Sequence, residues 1–320
     1  ARQALAANIV SGAIGASVLG AQVKATERLV ELAQADATEM ARREVLGAVS
    51  RADALASAQN AETLAASLPG LRAQWQSTRH ALAVLLGRTP DRAPDDVPLG
   101  ALKVPERVPV VVPSTLLQSR PDIQAAEMAL KAASAEVGVA TAQMFPSLTL
   151  SASMGKGGFH WPMVLSGAGA LWSVAASISQ PIFHGGALLA QRRAASATYA
   201  AALDRYKQTV LAAFKNVADT LASLEADNTS LRHADLASAA AEQIYRDTTA
   251  RVRLGALPAS AARGREQQYW NAYLTTVRAT GARLSDTALL FYAMGVPPAP
   301  VADTAQAAEP TRPAHDVVRQ

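Results

Sequence analysis

Apolar side chains recur at alternating steps of four and three residues in three long stretches of the chain, which is the spacing of a coiled-coil seam. The stretches run from Leu64 to Leu85, from Val210 to Leu231 and from Trp270 to Phe291. Pro69 lies inside the first stretch and predicts a local kink there. The pattern therefore predicts a mainly α protein built from long antiparallel helical hairpins.

Two short segments, residues 147–155 and 171–182, alternate with a period of two and are predicted to form a pair of strands. The apolar side chains on one face of this pair are those of Leu148, Leu150, Ala152, Met154, Trp172, Val174, Ala176 and Ile178. An isolated strand pair is marginal in water, whereas in a bilayer such strands build a closed barrel with the apolar face toward lipid. Two interpretations stay open here, a soluble β-ribbon covering a helical bundle and a part of a transmembrane barrel.

An offset of 208 residues relates the first part of the chain to the second. Arg43 becomes Arg251, the Gly47 segment becomes the Gly255 segment, and Pro90 becomes Pro298. A constant offset predicts two hairpins with arms of equal length. Because two strands and the start of a long helix precede only the second copy, we expect that the chain is truncated at its N-terminus.

These features divide the chain into four predicted parts. Residues 1–92 form the first helical hairpin repeat and residues 93–120 a Pro-rich connector. The second repeat, residues 121–296, contains a helix, the strand pair and a long hairpin over residues 186–295. The tail, residues 297–320, is rich in Pro and Ala and is predicted to be disordered.

Composition narrows the classes of function. The chain has no cysteine, which excludes disulfides, thiolate zinc sites and a thiol nucleophile. Its five histidines lie far apart without metal-ligand spacing, so we expect neither a metal nor a cofactor. The net charge is only +4 and the basic residues are scattered, so nucleic-acid binding is not expected. The acidic pair Asp95-Asp96 lies in the Pro-rich connector and is interpreted as a solvated turn, and we expect no enzyme.

Residues 3–23 carry no charge and could pass for a signal-peptide core or a membrane helix. They are rich in Gly, Ser, Asn and Gln and have a helical counterpart later in the chain. We therefore expect a packed helix rather than a membrane span.

Several motifs taken together resemble a known family. They are Ser119-Arg120-Pro121-Asp122-Ile123, Phe145-Pro146-Ser147-Leu148, and Gln180-Pro181-Ile182-Phe183-His184-Gly185-Gly186. In these motifs the chain resembles the outer membrane factor family of TolC-like proteins, in particular the NodT-type outer-membrane components of RND efflux systems. The NodT-type components of this family are lipoproteins.

The resemblance implies a homotrimer in the bacterial outer membrane. Each protomer would contribute strands to a shared transmembrane β-barrel, surrounded by outer-membrane lipid, and helices to an α-barrel tunnel in the periplasm. An inner-membrane RND-type pump would deliver substrates, and a periplasmic adaptor (membrane fusion) protein would dock on the hairpin tips. The function implied is a passive exit duct of a tripartite efflux system, or of a type I secretion-like system.

The resemblance also implies sites. The implied adaptor-docking positions lie at the two hairpin tips and are Arg43, Gly47, Ala48, Val49, Ser50, Arg251, Gly255, Ala256 and Leu257. Any tight turn between helices favours glycine, so the tip glycines have a purely structural interpretation as well.

The implied tunnel constriction lies after the second tip, at Arg263, Gly264 and Arg265. A ring of arginines there would favour anions. The alternative is that these arginines face solvent or pair with Glu266.

The chain departs from the family pattern in lacking a first strand pair and a lipidated cysteine, so it could supply only half of the expected strands. The alternative function is therefore a soluble helical-hairpin scaffold, or a non-conducting fragment of such a channel.

Overall fold

The computed structural model describes residues 2–102, 120–156, 162 and 170–295. These residues form five long helices and two strands. In chain order the elements are α1 (Arg2–Val45), α2 (Arg51–Leu85), α3 (Pro121–Ala142), β1 (Ser147–Lys156), β2 (Ala170–Ser179), α4 (Ala187–Arg253) and α5 (Ala259–Ala293). Within the described part the fold is thus mainly α with one small antiparallel sheet, as the sequence predicts.

Contacts divide the chain into two compact units. The first unit comprises residues 1–110 and 217–320, and the second comprises residues 111–216. Outside the described residues lie most of the predicted connector, with Ser119, the loop between the strands apart from residue 162, and the predicted tail, residues 297–320.

The helix bounds in the first unit repeat at the offset of 208 residues. Arg51 and Leu85, the ends of α2, become Ala259 and Ala293, the ends of α5, when 208 is added. Val45, the last residue of α1, likewise becomes Arg253, the last residue of α4. The two hairpins therefore have tips of equal length and returning arms of 35 residues each.

Helix α1 runs antiparallel to both of its neighbours in the first unit. Gln3 donates a hydrogen bond to the carbonyl of Gly295 just past the end of α5, and Asp36 pairs with Arg263 near the start of α5. Glu27 pairs with Arg72 of α2. Helix α1 is therefore the middle helix, with α2 and α5 packed against it.

Small residues let the neighbouring helices approach α1 closely. Gly12 and Gly15 of α1 face the side chains of Leu82 and Thr78 of α2. Gly281 of α5 faces Val18 so closely that a Cβ at this position would lie 2.6 Å from Val18 Cγ2. This packing explains why residues 3–23 are apolar and rich in small side chains.

Of the helices in the described ranges, α1 has the length and hydropathy required to cross a bilayer. Length and composition alone do not distinguish a membrane span from a packed helix. Its contacts with α2 and α5 are those of a helix within a bundle.

The predicted seams agree with the burial of side chains except at Asn228, and at the end of the third seam the most buried positions lie one residue earlier than predicted. Every predicted position from Leu64 to Leu85 is buried or half-buried. In the second seam, Asn228 is exposed and Asp227 takes the half-buried place. At the end of the third seam, the buried residues are Thr287 and Leu290 rather than the predicted Ala288 and Phe291, which are half-buried. Helix α2 continues through Pro69, and the local kink there stays a prediction.

The strand pair lies in the second unit. The register pairs Ser147 with Ser179 and Lys156 with Ala170. The second strand ends at Ser179 and not at Ile182, so the predicted end is wrong by three residues. Pro181 has no N–H to donate to a ladder, which accounts for the earlier end.

Candidate functional site

Both hairpin tips are closed by the same backbone motif. Gly47 has φ +70° and Gly255 has φ +74°, in the left-handed region that favours glycine. The N–H of Ala48 donates to the carbonyl of Arg43 at 2.8 Å, and the N–H of Ala256 donates to that of Arg251 at 2.9 Å. The tip arginines thus supply the carbonyls that end each helix in a Schellman motif.

The two tips expose large apolar side chains. Val45 and Leu46 are 86% and 80% exposed at the first tip, and Leu254 is 84% exposed at the second. Val49 and Leu257 are half-buried beside them. Exposed apolar side chains grouped at the end of a helical hairpin are typical of a surface that binds a partner.

The helices that leave the tips begin differently. Ser50 caps α2 by accepting a hydrogen bond from the N–H of Asp53, and its hydroxyl donates to the Asp53 carboxylate at 2.7 Å. Pro258 occupies the equivalent place before α5, where the structure shows no side-chain hydrogen bond for this cap position. The first tip is therefore the more firmly capped one.

The arginines predicted at a constriction have different surroundings. Arg263 donates to Asp36 of α1 at 2.5 Å, and Gln267 donates to the other oxygen of that carboxylate at 3.0 Å. Arg265 is exposed and donates to Gln268 at 2.8 Å. The alternative that the arginines pair with Glu266 is wrong for Arg263, because a carboxylate on α1 lies closer in the packed bundle. Gly264, between the two arginines, is half-buried.

Glu266 instead joins three helices. Its carboxylate, only 12% exposed, accepts from Arg28 of α1 at 2.7 Å and from Trp270 of its own helix at 3.4 Å. Tyr245 of α4 lies close to this carboxylate, and burial, followed by the charge of Glu266, raises the pKa of the Tyr245 hydroxyl. Hydrogen bonds to Glu31 and Glu266 raise the pKa of Arg28.

Sequence reasoning named Glu266 only as a partner for the neighbouring arginines and missed Asp36 and Arg28, because these pairs depend on which residues of α1 lie opposite α5. The signal in the sequence was Arg263, seven residues before the start of the third predicted seam, since a partly buried arginine requires a carboxylate partner.

The strand pair has two faces of opposite chemistry. Every predicted lipid-facing side chain is exposed in the single chain, as in Leu148 at 72%, Met154 at 90%, Trp172 at 78% and Ile178 at 75%. On the other face, hydroxyls bond across the pair, and the side chains of Ser153 and Ser173 lie 2.8 Å apart. The register places the apolar residues of both strands on one side, with Leu148 opposite Ile178 and Met154 opposite Trp172.

Within the described ranges, no group of three or more His, Cys, Asp or Glu side chains is arranged to hold a metal ion. The features that the described residues do show are the two hairpin tips, the ion pairs between helices and the two faces of the strand pair.

Comparison with known proteins agrees with this geometry. A family model described as outer membrane efflux protein matches residues 112–296, more than half of the chain. Nodulation protein T of Rhizobium leguminosarum bv. trifolii is 29% identical over 212 residues, which cover 66% of this chain and 45% of that protein. The pyoverdine export outer membrane protein OpmQ of Pseudomonas putida is 38% identical over 155 residues, which cover 48% of this chain and 32% of that protein. The chain thus spans less than half the length of these relatives.

Solved structures share the fold over nearly the whole chain. The open state of the MtrE outer membrane channel of Neisseria gonorrhoeae superposes with a TM-score of 0.76 at 27% identity, covering 92% of this chain and 66% of that one. VceC from Vibrio cholerae, an outer membrane protein, gives a TM-score of 0.72 at 25% identity over 92% of this chain and 70% of its own. Because the family model matches the whole of the second repeat, residues 121–296, and part of the connector before it, we conclude that the chain belongs to the outer membrane efflux protein family.

Proposed function

We propose that this chain forms part of the outer-membrane exit duct of a tripartite efflux system, as a passive conduit. The observation that carries the proposal is the two-faced strand pair, which exposes a continuous apolar side and a hydroxyl-bearing side. Strands of ten residues match the length that crosses a bilayer when tilted. In this proposal the duct is a homotrimer in the bacterial outer membrane, with its helices in the periplasm.

Lipid is the proposed partner of the apolar face of the strand pair. Exposing six large apolar side chains to water on one small sheet is unfavourable. These side chains are Leu148, Leu150, Met154, Trp172, Val174 and Ile178. A barrel shared with other copies of the chain would pair the free edges of the two strands, since lipid cannot satisfy unpaired backbone groups.

A periplasmic adaptor protein is the proposed partner of the two tips. Val45, Leu46 and Leu254 offer it an apolar contact, and the tip residues around Gly47 and Gly255 present similar backbone shapes. An adaptor could therefore meet the two tips of one chain in related ways. The inner-membrane pump would act through this adaptor.

The names of relatives support export as the broader role. OpmQ is described by pyoverdine export, and the TtgI protein of Pseudomonas putida, 37% identical over 145 residues, by toluene efflux. These substrates are properties of those proteins, and what they share is outward transport across the outer membrane.

Cysteine labelling tests the orientation of the strand pair, because the native chain contains no cysteine. Ser151→Cys and Leu150→Cys place single thiols on opposite faces of the same strand. In isolated outer membranes, we expect a membrane-impermeant maleimide to label the first variant and not the second, because the second thiol faces lipid.

Labelling of both variants at the same rate, with the protein in the soluble fraction, would instead identify the helical-hairpin scaffold and refute the conduit. Labelling of both variants after solubilisation in denaturant controls for the reactivity of each thiol.

Charge at the tips tests the adaptor surface. Leu254→Asp should abolish capture of the cognate adaptor protein, because a carboxylate would replace the exposed apolar contact. Val84→Asp, at another exposed apolar position near the far end of α2, should leave capture unchanged. Equal capture by both variants would exclude the second tip from the adaptor surface.

A further inference from the structure

An open groove of about 850 Å³ lies at the junction between the helices and the strand pair of the second unit. Its lining comes from the end of α3, from the first and last residues of the strand pair and from the segment that leads to α4. The register pairs Ser147 at the start of β1 with Ser179 at the end of β2, so both strands join their helices at this one end of the sheet.

The groove exposes bulky apolar side chains. Phe145 is 63% exposed, Ile182 94% and Phe183 87%, and all three line the groove together with Val139 of α3. Ile182 keeps the period of two of Ile178, whose side chain belongs to the apolar face of the sheet. The groove therefore continues the apolar surface of the strand pair toward the helices.

The backbone around the groove favours an occupant that contacts side chains. Pro181 has no N–H to donate to a neighbouring strand. The carbonyls of Met144 and Pro181 accept from the side-chain amide of Gln180, at 3.3 and 3.5 Å. These groups offer little to a strand of a second copy, whereas hydrocarbon covers the apolar side chains without any need for hydrogen bonds.

Two arginines follow the groove on the first turns of α4. Arg192 and Arg193 are exposed and lie about 8 and 9 Å along the helix from its first residue, Ala187. Side chains of an α-helix lean toward its N-terminus, so both arginines lean toward the junction. Between Lys131 and Asp204 the sequence contains one acidic residue, Glu136, so positive charge prevails at this level.

We propose that the groove binds an anionic phospholipid of the periplasmic leaflet, with an acyl chain against Phe145, Ile182 and Phe183 and the phosphate at Arg192 and Arg193. This inference rests on the proposed function, which puts the strand pair in the outer membrane and the helices in the periplasm. The junction then lies at the level of the lipid headgroups, where aromatic side chains are favoured and basic side chains attract anionic lipid. Arginine also matches the geometry of a phosphate.

Photocrosslinking identifies the occupant of the groove. A benzoylphenylalanine replaces Phe183 in one preparation and, in another, Tyr199, which lies about 18 Å after the start of α4. Each chain is reconstituted in phosphatidylcholine vesicles that contain about a tenth of phosphatidylglycerol, and mass spectrometry identifies the products. At Phe183 we expect lipid capture with a ratio of phosphatidylglycerol to phosphatidylcholine about tenfold above that of the vesicles, and at Tyr199 no lipid capture.

Neutral substitutions test the contact with the headgroup. Arg192→Gln combined with Arg193→Gln should lower the lipid ratio captured at Phe183 about tenfold, to that of the vesicles, because two charges near the phosphate are lost. Arg192→Lys combined with Arg193→Lys should retain most of the enrichment, because both charges remain. Arg205→Gln combined with Lys207→Gln removes two exposed charges further along α4 and should leave the ratio unchanged.

An unchanged ratio in the double glutamine variant of Arg192 and Arg193, or equal lipid capture at Phe183 and Tyr199, would overturn the proposal. A crosslinked dimer at Phe183 would also overturn it, and would show that a second copy of the chain occupies the groove. Flotation of the vesicles is measured for every preparation. A chain that does not float with the vesicles refutes the proposed function, whereas a chain that floats without enrichment of phosphatidylglycerol refutes the lipid site alone.

Discussion

Glycine is the residue that allows three long helices to pack with so few bulky side chains. Gly12 and Gly15 on α1 receive side chains from α2, and Gly281 on α5 receives Val18 from α1. In each case the large residue is on one helix and the glycine on the other. Because glycine has no side chain, the backbones lie close together and little space remains between them. A single added methyl group should therefore disturb the packing at these positions.

Gly281→Ala should destabilise the chain by about 1 to 3 kcal/mol, because the new Cβ would lie 2.6 Å from Val18 Cγ2. Chemical unfolding in detergent measures the change in the free energy of unfolding. Gly264→Ala on the same helix is the control, since the structure describes no heavy atom within 4 Å of a Cβ there. That variant should be neutral or more stable by up to about 1 kcal/mol, because alanine is the better helix former. Equal effects at the two positions would contradict close packing at Gly281.

The surroundings of Asp227 predict how the stability of the chain changes with pH. Burial and then the neighbouring Asp286 raise its pKa, so the folded chain binds this proton more tightly than the unfolded chain. The ionised carboxylate therefore opposes folding, and stability is lost as pH rises through the raised pKa. Asp227→Asn should stabilise the chain at neutral pH by at most about 1 kcal/mol, because the group is partly solvated, and the gain should vanish near about pH 3.

Unfolding curves of the native chain and of Asp227→Asn at the two pH values measure this difference. Glu225→Gln, at an exposed position of the same helix, controls for the loss of one negative charge. A gain that persists in acid would show that the carboxylate has another role.

In the segment after α2, two adjacent aspartates have different surroundings that the sequence alone does not distinguish. Asp95 and Asp96 are adjacent and identical in type, and composition predicts a solvated turn for both. The structure supports this interpretation for Asp95, which is exposed, and contradicts it for Asp96, whose carboxylate bonds Trp75 and Arg79. The difference depends on a gap at Gly20, where a Cβ would lie 2.9 Å from Asp96 Oδ2, and no local pattern connects these two positions.

Asp96→Ala should destabilise the chain by about 1 to 3 kcal/mol, because it leaves the Trp75 N–H without its acceptor and removes the carboxylate that pairs with the half-buried Arg79. Asp95→Ala removes the same charge one residue earlier and should have little effect. Hydrogen exchange of residues 90–102 should rise in the first variant alone. Equal exchange in both variants would show that the Asp96 carboxylate does not hold this segment against α2.

Local chemistry determines which elements the sequence can predict. The tip turns follow from Gly47 and Gly255, since left-handed backbone after a helix needs glycine, and the seams follow from apolar spacing. Predicted strand faces match the register because alternation fixes them. The pair of Asp36 with Arg263 could not be predicted, because it joins residues 227 positions apart and depends on how α1 slides against α5.

At the scale of the whole molecule, charge on the helices after the tips would determine which ions the proposed conduit prefers. Asp36 compensates Arg263, whereas Arg265 is exposed and contacts only the neutral side chain of Gln268 among the described residues. If the constriction lies at this level, Arg265 supplies its uncompensated charge in every protomer.

Arg265→Glu should therefore shift the reversal potential of single channels under a salt gradient toward cation preference, since it reverses an exposed charge in each copy. Arg278→Glu, at an exposed position further along the same helix, is the matched control and should cause a smaller shift. Equal shifts would place the constriction elsewhere. Absence of any channel activity in the native chain would count against the conduit itself.

The equal returning arms of the two hairpins make length a shared property of the molecule. Helices α2 and α5 each contain 35 residues, about 52 Å of helix. Inserting one heptad into α2 alone would advance or tilt one tip by about 10 Å relative to the other. A partner that contacts both tips would then meet an uneven surface. Insertions and deletions in these arms should therefore be tolerated only in matched pairs, one in each repeat. The lengths of two distant segments of the gene should accordingly change together.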